Sequence, residues 1–192
     1  MFFSLLCLTV SFPQWPARYT IIGTWKVPYA NLSNPITIVH EPGRQYTNQL
    51  NGVEQIWNSG PEERVHMKIV GAGDKSVCMT IFPNETFDIE LTQFLPSPEG
   101  FSLINDSVAY HGIRCELWEK VIDMGKVLTY RMYINKENGN PVAYWVQAIS
   151  VFNSHYDIYV LEIDEFYREV LPGYWTIPSI CDNPIPDPFP GM

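Results

Sequence analysis

The residues of this chain with reactive or metal-binding chemistry are four cysteines, four histidines and one short run of carboxylates. Their spacing limits what they can do. Cys78, Cys115 and Cys181 lie too far apart in sequence for a zinc module, which gathers its ligands in closely spaced pairs. Cys115 sits in Ile-Arg-Cys-Glu-Leu-Trp, a strand-like setting that suits a disulfide cysteine better than a thiolate nucleophile. A Cys78–Cys115 bridge is expected, since both fall on strand-like runs flanking one loop-rich stretch. Cys78–Cys181 and Cys115–Cys181 stay open. Cys7 lies near the N-terminus, so an odd thiol remains among the other three. His40, His66, His111 and His155 are dispersed. His155 and Asp157 share one strand face as a weak ligand pair, and Glu162, Asp164 and Glu165 read as a solvated acidic turn.

Nucleophilic catalysis needs a base and an orienting group beside the nucleophile. The sequence has no G-x-S-x-G elbow and no phosphate-cradling glycine loop. No catalytic residue, metal ligand or cofactor site is assigned, and the expectation is a protein without enzymatic activity of its own.

The elements that position these groups read as strands. Of 192 residues, 46% are hydrophobic and 17% charged, which suits a packed core rather than disorder. Aromatics reach 14%, and 16 prolines cut the chain into short pieces. Strand patterns cover Thr20 to Val27, Ile36 to Val39, Tyr46 to Leu50, Val53 to Trp57, Val65 to Val70 and Val77 to Phe82. Others follow at Ile113 to Ile122, Val127 to Ile134, Val142 to Val151 and Tyr156 to Ile163. Asn51-Gly52 and Glu137-Asn138-Gly139-Asn140 are hairpin turns. Short helices are expected at Phe87 to Leu95 and Asp164 to Val170. The result is a mainly β fold, an antiparallel meander.

On the Val127–Ile134 strand, Leu128, Tyr130, Met132 and Ile134 share one face. The following strand is apolar on both faces. Leu128, Tyr130, Met132, Tyr144 and Val146 are therefore the expected lining of an apolar binding surface, with solid core as the rival reading of the same pattern.

Phe2 to Phe12 form an apolar run of signal-peptide length, and Pro13 to Ala17 a cleavage zone. Residues 1–17 are expected to be a leader, removed before about Arg18; the alternative is a buried N-terminal strand. Sequons at Asn31, Asn84 and Asn105 agree with a secreted glycoprotein. Residues 18–181 then form the β-domain. Residues 182–192, with proline at every second position from Pro184, read as an extended linker or tail. The net charge of −9 argues against nucleic acid as a partner. No segment reaches transmembrane length.

Several residues also carry a family resemblance. Gly23, Pro28, Tyr29 and Ala30, followed by Arg44, Tyr46 and Gly52, resemble the start of the N-terminal, non-catalytic domain of two-domain papain-like cysteine peptidases. Gly112, Cys115 and Trp118, then Pro141-Val142 and Ser154-His155-Tyr156-Asp157-Ile158-Tyr159, resemble later elements of that domain. The Gly-Cys-Trp element, Pro141-Val142 and Ile177-Pro178-Ser179-Ile180-Cys181 are also similar to ependymin-related secreted proteins, which share a curved, half-open sheet with bacterial lipoprotein carriers. The resemblance implies a secreted or lysosomal binding domain. Its partner would be a lipid or other apolar ligand, or a cysteine peptidase domain. An accessory region severed from such a peptidase is the alternative. The papain-like Cys-Gly-Ser-Cys-Trp motif is absent, so no peptidase activity carries over.

Overall fold

The computed structural model describes residues 11–59, 66–80, 94–123, 125, 127–149 and 156–187. The chain forms one open, curved sheet of twelve strands, as the mainly β expectation required. β1 (Tyr19–Val27), β2 (Leu32–Glu41), β3 (Arg44–Gln49), β4 (Glu54–Ser59), β5 (His66–Val70) and β6 (Val77–Thr80) lie side by side in chain order. β7 (Ser102–Tyr110), β8 (Ile113–Asp123), β9 (Val127–Asn135), β10 (Pro141–Ile149) and β11 (Tyr156–Tyr167) form a second meander. β11 closes against β1, so the first strand sits mid-sheet between the two runs. β12 (Ile185–Pro186) adds a parallel edge to β6. A proline is tolerated there because an edge strand need not donate on both sides.

The sheet is covered on both faces. Period-two alternation sends Ile21, Ile36, Ile38, Met132, Ile134, Leu161 and Ile163 to one side, called here the front. Phe12, Leu95 and Trp118 complete that core, with Phe94 and Phe101 packed against it. On the back, Val39, Tyr46, Trp57, Ile69 and Cys78 form a second cluster. The segment after β11 straps across this cluster. Trp57 Nε1 donates to the Tyr174 carbonyl at 2.8 Å, Thr20 Oγ1 donates to the Glu169 carbonyl at 3.0 Å, and Cys181 is bonded to Cys78.

Two expectations are corrected. The disulfide joins Cys78 to Cys181, not Cys78 to Cys115. Eight strands separate β6 from β8 in the sheet, far beyond a bridge's reach. Cys115 is instead a free thiol, fully buried, and burial raises its pKa. The expected helix from Asp164 is strand: β11 runs on to Tyr167 through a bulge. Ile22 faces Glu165 and Gly23 faces Ile163, which leaves Asp164 as the extra residue. Gly23 is required there, because a Cβ would overlap the Glu162 carbonyl oxygen. The second expected helix, from Phe87, lies almost wholly outside the described residues; among these, helical geometry is confined to four three-residue 3-10 turns.

Phe12 and Trp15 fall within the segment expected to be a leader. Phe12 is 6% exposed and meets the rings of Trp15, Phe101 and Trp118 at centroid distances of 5.3, 4.7 and 5.4 Å. Trp15 Nε1 donates to the Pro96 carbonyl at 2.9 Å. A chain starting at Arg18 should therefore unfold more easily than one starting at Ser11, by about 3 kcal/mol or more, the usual loss for deleting a buried Phe. Equal thermal melts of the two purified chains would show that the core closes without these rings.

Candidate functional site

The five residues expected to line a binding surface do share the front face. Tyr144 pairs with Met132 across the β9–β10 ladder, and Val146 with Tyr130. Met132 has no exposure at all and belongs to the core. Tyr144 packs against that core and stacks on Tyr130 at 6.4 Å. Burial, then the neighbouring Tyr130, raises the Tyr144 pKa. Leu128, Tyr130 and Val146 are half-buried.

A cavity opens elsewhere on the same face, over β1 to β4. It holds about 280 Å³. Trp25, Ile36, Ile56 and Phe94 form apolar walls, and Gln45, Thr47, Gln49 and Asn58 supply the polar lining. Trp25 is held upright by stacking on Tyr159 at 5.9 Å. Sequence reading missed this site for a physical reason. Gln45, Thr47 and Gln49 alternate with Tyr46 and Asn48, so β3 looks as if it turns a polar face to water. In the structure Gln45 and Thr47 are buried.

The polar residues are ordered by the register. Tyr19 pairs with His40, His40 with Gln45, Gln45 with Asn58, and Asn58 with His66. These five side chains make one straight row across β1 to β5 on the front face. The Tyr19 ring stacks on His40 at 5.0 Å, and burial pushes the Tyr19 pKa up to about 12 against the pull of a Leu95 backbone contact. His66 Nδ1 lies 2.6 Å from Asn58 Oδ1. The Tyr19 hydroxyl, His40 Nδ1, Gln45 Oε1 and His66 Nε2 are buried without a hydrogen-bond partner among the described residues. Burial lowers the pKa of both histidines, opposed by Glu41 at His40 and by Asp187 at His66, where Lys68 adds to the lowering. Both imidazoles are therefore neutral near pH 7. Three strand spacings separate them, roughly 14 Å, so they cannot share one metal ion. Among the described residues no cluster of three or more His, Cys, Asp or Glu is placed to hold a metal.

The remaining sequence candidates lie apart. Glu162 faces the back, where Lys26 and His111 hold its carboxyl below the usual range although burial alone would raise it. Asp164 is the exposed bulge residue, and the exposed Glu165 accepts a hydrogen bond from the Tyr167 hydroxyl. The three carboxylates do not converge. Asp157 is buried and accepts from Tyr159 at 3.2 Å, while His155 lies outside the described residues. Of the three sequons, Asn31 is exposed in a left-handed turn position and Asn105 is exposed on β7; Asn84 lies outside the described residues. A larger groove of about 470 Å³ lies between the turns at Gly52 and Gly71 and the strap at Pro178, walled largely by turn backbone. No helix among the described residues is long and apolar enough to cross a membrane.

Neither a protein-family model nor a curated protein matches this sequence.

Proposed function

We propose that this chain is a secreted or lysosomal, non-catalytic binding domain for a small, mainly apolar ligand. The cavity walled by Trp25, Ile36, Ile56 and Phe94 carries the reading. Such ligand sites are concave, apolar and furnished with a few polar groups that fix orientation. The disulfide supports an oxidising compartment, where such bonds persist. Among the described residues the one unbonded thiol, Cys115, is buried in the sheet.

The test is a titration of the purified protein with a small uncharged fluorophore such as 1-aminoanthracene. Saturable binding is expected for wild type. Ile56→Phe fills part of the cavity and should weaken binding at least tenfold while leaving the melting temperature unchanged or higher, since filling a void adds packing contacts. A folded wild type that does not saturate would overturn the reading.

A further inference from the structure

The cavity and the polar row meet at two residues, Gln45 and Asn58, which belong to both. That coincidence narrows the ligand. We propose that the row Tyr19–His40–Gln45–Asn58–His66 reads the polar end of a small amphiphile, and that this end is an uncharged hydroxyl. The inference rests on the apolar-ligand reading above and adds the chemistry of the head.

The hydrogen-bond inventory carries the argument. An amide oxygen can only accept, so the 2.6 Å contact from Asn58 Oδ1 fixes the proton on His66 Nδ1. His66 Nε2 is then a bare acceptor. Gln45 Oε1 is a second, on a side chain 4% exposed. Buried polar atoms are almost always satisfied, and an orphaned acceptor beside a cavity asks for a donor from whatever fills it. A hydroxyl brings one. A carboxylate brings only lone pairs, and it would face the Gln45 oxygen with like partial charge. It would also need a cation. On the same face of these strands Lys68 is paired with Glu54 at 3.0 Å, and Glu54 also accepts from Gln49. A pure hydrocarbon would fill the apolar walls and leave the Gln45 acceptor, the one of the two that lines the cavity, unpaired. Size sets the chain length. A volume of about 280 Å³ equals the liquid share of roughly nine waters, which suits a medium chain and not a long one.

The experiment compares three probes of one chain length, 1-octanol, octanoate and octane, at neutral pH. Each competes with the fluorophore on the full chain. The octanol should displace it with an affinity at least tenfold above octanoate and octane, because a site built to pair a hydroxyl rejects analogues that lack it. Gln45→Leu should weaken 1-octanol at least tenfold and leave octane unchanged, with a melting temperature no lower than wild type, since it deletes an unpaired acceptor. The wild-type series stands by itself if that variant fails to fold. Octanoate or octane binding as tightly as octanol overturns the hydroxyl head and leaves the apolar cavity standing. Failure of all three, and of the fluorophore, overturns both.

Discussion

Replacing Cys78 and Cys181 together by serine should cost this protein about 5 kcal/mol and leave it largely unfolded at 37 °C. The bridge spans 103 residues, and closing a loop of that size removes about that much chain entropy from the unfolded state. A domain of this class has only about 5–15 kcal/mol of stability in total. The bridge also does local work. It fixes the strap over Trp57, Tyr46 and Ile69, and the strap supplies the carbonyl that receives the Trp57 indole N–H. Without the bond, the strap should peel away first and expose the back cluster. Denaturant melts of the double variant test the size of the loss. Non-reducing peptide mapping tests the pairing; a peptide linking Cys115 to either partner would refute it. Cys115→Ala is the control. That change removes a fully buried but unbonded side chain and should cost only about 1 kcal/mol, in the range typical of single substitutions.

Met132→Glu should be at least as damaging, with a loss above about 4 kcal/mol. Met132 has no exposed surface and sits among Trp118, Ile134 and Leu161. A carboxylate there has no partner, and it must ionise in a low-dielectric site or stay protonated at a cost. Losses of that size come from a short list of mechanisms that includes a buried unpaired charge. Val146→Glu is the informative comparison. It lies on the same face, half-buried, and its side chain can reach toward water. Circular dichroism melts should show an unfolded Met132→Glu and a folded Val146→Glu. A well-folded Met132→Glu would mean that this part of the face is looser than its packing indicates.

The sheet was legible in the sequence wherever alternation was clean. The Val127–Ile134 and Val142–Val151 pattern gave the β9–β10 hairpin nearly to the residue, and Asn51-Gly52 marked the β3–β4 turn. β7 was missed because Asn105, Asp106 and Ser107 look like a turn; they lie in an exposed edge strand interrupted by two register shifts. The end of β11 was misread because an acidic pair inside a strand is explicable only by the bulge, which depends on Gly23 across the ladder. The five expected lining residues share the front face with the cavity but lie on other strands, with Met132 in solid core. What marks the cavity is a polar row of one tyrosine, two amides and two histidines on five different strands, whose Gln45 and Asn58 reach the cavity, and only the register assembles them. The expected Cys78–Cys115 pairing failed for the same reason, since strand order, which sequence separation does not show, decides which cysteines can meet.

The place of β1 in the strand order has a consequence for how the protein is made. As the chain leaves the ribosome, β1 to β6 can zip up in sequence, because each strand's neighbour has just been synthesised. One side of β1 then waits. Its partner β11 lies about 140 residues downstream, between the 134 of the Lys26 to Val160 pairing and the 147 of the Thr20 to Tyr167 pairing. At roughly 5–20 residues per second this amounts to about 7–28 seconds of translation. Throughout that interval the nascent half-sheet carries an open ladder edge flanked by the apolar residues Ile21 and Ile22, the template on which strands of other chains add. The vulnerable species in biosynthesis is therefore the half-made sheet, and the arrival of β11 ends its exposure.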